Sequence, residues 1–177
     1  MLKWFVNEET ALAVVTDEQG GVCQDSCVEF FLTHNDLGTD QYLNFEFNAI
    51  GACLNYRCTR PRGWTQSQYS AFEEAPAEAL ASIERLPSLG REPFEERPMD
   101  GEQWTLAVAI PKAVLHISPE KGIHEVQMRA NLYKCADNSA KPHWVSAFPV
   151  TPPSPDFHRP VCFVALHFER SLAAAAL

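Results

Sequence analysis

Residues 42–48 (YLNFEFN) alternate without a break: Leu43, Phe45 and Phe47 fall on one side, and Tyr42, Asn44, Glu46 and Asn48 on the other. A period of two is the mark of a β-strand with one face turned to a core, and a helix would scatter the same residues around its axis. Residues 125–133 repeat the pattern, with Val126, Met128, Ala130 and Leu132 opposite Arg129, Asn131 and Tyr133. Residues 27–32 (CVEFFL) form a third short run rich in aromatic and β-branched residues, closed by the turn formers Asn35, Asp36 and Gly38. Further strands are expected at 2–6, 11–16, 52–57, 103–110, 143–148 and 161–168. Many short strands at regular spacing predict an all-β fold, an antiparallel β-sandwich of jelly-roll type.

One short helix interrupts the strands. In residues 77–86 (AEALASIERL), Leu80, Ile83 and Leu86 lie at helical spacing, with Pro76 at the start and Pro87 as the stop. The charged, proline-punctuated stretch after it reads as a solvated loop laid across one edge of the sandwich. Residues 149–160 (PVTPPSPDFHRP) lack many backbone donors and read as a rigid irregular loop. No internal repeat or domain boundary is visible, so residues 1–170 are expected to form one domain and 171–177 a tail.

Charge narrows the partners. The net charge is −9, and residues 73–102 carry nine acids and three bases, so −6 of it lies there. Nucleic acid and anionic membranes both select a basic face and are therefore unexpected partners. The longest uncharged stretch, residues 142–155, has 14 residues and five prolines, too short and broken to cross a bilayer. Residues 1–10 lack the apolar run of a signal peptide. Six cysteines allow 15 pairings into three disulfides. Cys27, Cys53 and Cys135 lie in apolar runs, where a free thiol acts as a small buried hydrophobe, so reduced thiols and a cytoplasmic setting are expected.

The polar strand faces carry the candidate chemistry. If the three strands share a sheet, Glu29, Asn44, Glu46, Asn48, Arg129 and Asn131 lie on one face, with direct neighbours about 4.5–5.5 Å apart. Such a mixture of donors and acceptors suits vicinal hydroxyls. The plainer account is the solvated side of a half-exposed sheet, and pattern alone favours it. Trp144 and Trp64 follow turn-like segments, and Phe157, His158 and Arg159 sit in the rigid loop; a ring held there would stack on a sugar. Trp104 opens an apolar strand and is expected in the core. Glu29 and Glu46, or Asp25, would be carboxylates for a glycoside hydrolase if suitably spaced, a reading ranked below binding. No nucleotide-binding or serine-nucleophile motif is present. His34, Asp36 and Asp40 in one loop could together collect a calcium ion, although a polar hairpin loop is the favoured account; no cofactor is expected.

The segments QDSCVEFF (24–31), YLNFEFNAIGACL (42–54), RANLYKCAD (129–137) with PHWVSAFPV (142–150), and PDFHRP (155–160), in this order, resemble a carbohydrate-binding module family 9-like domain of the DOMON-like β-sandwiches, as found in bacteria of the Bacteroidetes. The resemblance spans residues 2–169. It implies a non-catalytic module holding a mono- or oligosaccharide and a role in carbohydrate catabolism. It also implies one or more strands preceding Leu2, whose absence would leave a sheet edge open to association. Family modules clamp a sugar between two aromatic rings; by position one ring falls on Phe157 and the other on Cys23, which is not aromatic. Polar positions beneath the sugar correspond to Glu29, Glu46 and Asn131, with Glu46 where the family has a basic residue. Either the ligand then differs from the family's, or a nearby ring such as Trp144 or Trp64 supplies the second wall. A haem-binding, electron-transferring DOMON relative is a further alternative, for which Met128 is the strand-borne ligand candidate.

Overall fold

The computed structural model describes residues 1–38, 40–60, 71–151 and 156–169. Trp64 and the 171–177 tail, both named above, lie outside them. Leu2–Asn7 (β1) pairs antiparallel with Gln103–Ala109 (β9), which on its other side takes Glu84–Pro87 (β7), making a three-stranded sheet. Facing it is a seven-stranded sheet. Its centre is Met128–Cys135 (β10), Cys27–His34 (β3), Gln41–Asn48 (β4) and Cys53–Thr59 (β5), in that spatial order. Ala71–Glu74 (β6) extends it beyond β5, while Trp144–Ser146 (β11) and Val164–Leu166 (β12) share the free edge of β10. Thr10–Ala13 (β2) and Phe94–Pro98 (β8) form a separate two-stranded ribbon. The result is an all-β antiparallel sandwich with one short helix, Ala77–Ala81 (α1).

Alternation explains the core. Phe30, Leu43, Phe45 and Phe47 from the large sheet meet Val6, Trp104, Leu106 and Val108 from the small one in a single buried cluster. Trp104 is fully buried, as its apolar strand predicts, and its indole donates to Glu8 Oε1 at 2.5 Å. Met128 packs in this core as well, facing away from the opposite sheet surface. Gly51 turns the chain between β4 and β5 at φ +85°, a conformation that favours glycine.

The region read as a helix over 77–86 followed by a solvated loop is different. The helix ends at Ala81, and the chain then extends to place β7 on the edge of β9. Leu80 and Ile83 are buried as helical spacing demands, but Leu86 is 67% exposed. The tie is Arg85. Its guanidinium turns inward to donate to Glu18 Oε1 at 2.7 Å and to the carbonyl of Gly51 at 2.9 Å. Likewise Glu96 of β8, charged and loop-like in sequence, accepts from Thr10 Oγ1 and from the backbone of Ala140. No helix among the described residues is long and apolar enough to cross a membrane. All six cysteines are free thiols.

The face of β3, β4 and β10 expected to be solvated is largely buried, apart from the exposed Arg129. Arg129 Nε donates to the carbonyl of Phe163 at 2.9 Å, Asn131 brackets the backbone of Phe148, and Tyr133 Oη donates to the carbonyl of Phe157 at 3.2 Å. These side chains hold the backbone at Phe148, Phe157 and Phe163 against the sheet. Phe31, Tyr42, Cys58, Tyr133 and Phe163 thereby make a second small core on this face.

Candidate functional site

The three candidate strands are neighbours, in a register that stacks their polar positions in rows. Glu29 stands opposite Glu46 on β4 and Tyr133 on β10; the adjacent row is Asn131, Phe31 and Asn44; the row at the other side is Cys135, Cys27 and Asn48. Segment 156–163 covers one end of this face. The other end opens into a cleft of about 340 Å³ lined by Cys23, Glu29, Glu46, Cys135, Asp137 and Trp144, with Phe157 and His158 at the covered side.

Glu29 and Glu46 form the floor. Glu46 Oε1 accepts from Asn44 Nδ2 at 2.9 Å, and Asn44 Oδ1 accepts from the backbone of Tyr56. Burial pushes the Glu46 carboxyl up to about 7, partly offset by the Asn44 hydrogen bond. Glu29 is raised well above the ordinary carboxylate range by burial, with Cys135 and Glu46 adding to the effect. Its Oε1 accepts from the thiol of Cys135 at 2.9 Å, whereas its buried Oε2 has no hydrogen-bond partner. Among the described residues, no ion pair reaches Glu29, Glu46 or Asp137.

Two rings flank the cleft. Phe157 lies flat on Tyr133, with centroids 4.1 Å apart and planes 11° from parallel, so its position is set from behind. Trp144 is 46% exposed, and its indole Nε1 donates to Asp137 Oδ1 at 2.8 Å. His158 points back into the fold, its Nδ1 2.8 Å from Tyr42 Oη; burial and the nearby Arg60 push it down to about 4, so it is neutral at physiological pH.

Several expected site residues have structural work instead. Asn48 donates to the carbonyl of Val15 and to Asp25 Oδ2, and accepts from the backbone of Ala52. Asp25 Oδ2 also takes the backbone N–H groups of Val14 and Val15, so it caps a loop rather than facing the cleft. Arg129 and Asn131 are committed to the covering segment, and Arg159 pairs with Asp156 at 2.8 Å. None of Asn44, Asn48, Arg129, Asn131 or Arg159 lines the cleft. In the calcium-candidate loop, His34 uses Nε2 on the carbonyl of Leu115 and Nδ1 on the backbone of Asp36, whose carboxylate pairs with Lys121 at 2.8 Å.

Sequence reasoning passed over Cys135 and Asp137 as lining residues. The signal for Cys135 was its parity: it follows Asn131 and Tyr133 at period two, on the polar side of β10. Asp137 lies beyond the strand, where alternation carries no information.

The comparisons agree with this fold. The family model described as carbohydrate-binding family 9 matches residues 1–168. A crystal structure from Bacteroides uniformis ATCC 8492, of a protein provisionally described as carbohydrate-binding, superposes with a TM-score of 0.81 at 33% identity, covering 94% of this chain and 72% of that one. No curated protein matches. With the fold, the strand register and a match along nearly its whole length in accord, the chain belongs to carbohydrate-binding family 9.

Proposed function

We propose that the cleft is a non-catalytic saccharide site taking a neutral mono- or oligosaccharide end between Phe157 and Trp144. The observation that carries this reading is the pairing of two flanking rings with a floor of carboxyl groups. Phe157 is backed by Tyr133 and Trp144 is tethered by Asp137, so both rings are oriented before a ligand arrives. Trp144 takes over the part that Cys23 cannot play. Glu46 and Asp137 offer acceptors to ring hydroxyls. The volume, near the lower end of the roughly 300–1,000 Å³ typical of ligand pockets, suits a chain end more than a long run of sugars. With acidic groups on the floor and no ion pair to balance them, a neutral sugar is preferred to an anionic one.

The test is calorimetric titration across a panel of neutral mono- and oligosaccharides. A sugar that binds wild type is expected to lose about tenfold in affinity with Phe157→Ala and again with Trp144→Ala, since each stacking contact is worth about 1–1.5 kcal/mol. A flat panel on cooperatively folded protein overturns the reading. So does full affinity in both variants, which would make the rings structural only.

A further inference from the structure

We propose that Cys27, Glu29 and Cys135 form a binding site for one thiophilic divalent cation of the zinc class at the floor of the cleft, with its fourth coordination position open to the cavity. This goes beyond saccharide binding and stands whether or not a sugar occupies the space above.

The placement follows from strand register. Cys27 and Cys135 are directly opposed on β3 and β10, and Glu29 is two residues from Cys27 on the same face. Two thiols and a carboxylate thus project side by side from two adjacent strands near the centre of the sheet. Their ligand atoms all lie within 4.8 Å of one another, and all three residues are buried. Zinc bonds of about 2.3 Å to sulfur and 2.0–2.2 Å to oxygen set tetrahedral ligands roughly 3.6–3.8 Å apart, within reach of side-chain rotation alone.

A second observation points to a ligand. Glu29 Oε2 is buried and has no hydrogen-bond partner. A buried carboxylate oxygen left without a partner is costly, and a cation at this point would satisfy it. The surrounding charge runs the same way: Glu29 stands opposite Glu46, with no ion pair reaching either among the described residues. Two sulfur donors favour a soft or borderline cation over calcium or magnesium. Three protein ligands with an open side toward the cavity is also the pattern of zinc sites that keep an exchangeable position. Binding would displace both thiol protons and any proton held on the Glu29 carboxyl, Cys135 then donating electron density to the metal rather than a proton to Glu29, and these two or three protons would leave to solvent.

The experiment uses the full chain, reduced and stripped with a chelator, titrated with Co²⁺ and then with Zn²⁺. The expected result is a thiolate-to-cobalt charge-transfer band that saturates at one equivalent and is bleached by one equivalent of Zn²⁺. Affinity should fall at least about a hundredfold for each unit of pH lowered, as the two thiol protons and any proton on Glu29 compete with the metal. Cys27→Ala and Cys135→Ala should each remove the saturable band, Glu29→Gln should weaken binding at least tenfold, and Cys162→Ser, which lies outside the cluster, should change nothing. Absence of the band in folded wild type overturns the proposal. A band that survives either cluster cysteine substitution overturns it too, placing the metal on other thiols. If the cysteine variants do not fold, alkylation of wild type decides, for a time that labels Cys27 and Cys135 in stripped protein. Protection of both by Zn²⁺ supports the site, and equal labelling with and without Zn²⁺ refutes it.

Discussion

Glu46 and His158 lie on the same side of the large sheet, and burial moves them in opposite directions. The Glu46 carboxyl rises to about 7 and the His158 imidazole falls to about 4. In the unfolded chain they would titrate near their ordinary values of 4.5 and 6.5. Between pH 4.5 and 7 the native state therefore holds a proton on Glu46 that the unfolded chain has released, so this group's contribution to stability falls as pH rises. Between pH 4 and 6.5 the unfolded chain holds a proton on His158 that the native state lacks, so this contribution rises with pH. Each slope approaches about 1.4 kcal/mol per pH unit, and over pH 4.5–6.5 they nearly cancel. Substituting one group should unmask the other. Relative to wild type, Glu46→Gln should gain stability steadily as pH goes from 4.5 to 6.5, and His158→Gln should lose it. Denaturant unfolding at three pH values would measure both differences, with all shared titrations dropping out. Curves parallel to wild type would mean that neither group keeps its neutral form in the native protein.

At the scale of elements, β3 and β4 are buried on both faces along most of their length, and the polar side of β4 divides its labour along that length. Asn48, at one end, bonds to Val15, Asp25 and Ala52 and so anchors the chain after β2 to the β4–β5 turn. Asn48→Ala would leave buried groups unpaired on three segments and should cost about 3 kcal/mol of stability. Affinity of the folded protein for a cleft ligand should be unchanged, because Asn48 does not line the cleft. Denaturation and titration of the same sample separate the two effects, and a selective affinity loss would move Asn48 into the site. This division also marks where the sequence was legible. Period-two alternation placed β4 and β10 and their core faces, while the adjacency of Glu29 and Glu46 hung on their strands sharing a sheet, which the register supplies. It could not tell that Arg129, Asn131 and Tyr133 hold down a proline-rich segment, since a side chain bonded to a distant carbonyl looks the same in sequence as one facing water. The strands β7 and β8 were hidden for a related reason. Their sequences, ERLP and FEERP, are charged and proline-bearing, and they become strands by docking on edges left by β9 and β2. Arg85, within the segment expected to be helical, is a buried tie to Glu18 and Gly51.

Across the whole molecule, the net charge of −9 is concentrated away from the cleft: none of the residues lining it comes from the acid-rich stretch 73–102. The field a ligand meets is therefore local, from Glu29, Glu46 and Asp137, with Asp156 already paired to Arg159. Local charge has two consequences for a saccharide site. A neutral sugar should bind with affinity that changes less than about twofold between 0.1 and 1 M salt, since it has no charge to screen. The matching uronate should bind about tenfold more weakly at 0.1 M salt, and that gap should narrow at 1 M, where the screening length shrinks from about 10 Å to about 3 Å. The gap should narrow again on lowering the pH from 8 to 5.5, as Glu46 takes up its proton near 7. Titrating the sugar pair at both salts and both pH values tests all three trends together. A uronate that binds more tightly than its neutral partner would require a positive charge in the cleft: either basic groups from outside the described residues, or a cation held by Cys27, Glu29 and Cys135. Stripping the protein with a chelator and repeating the titration would tell these apart, because only the second preference would vanish with the metal.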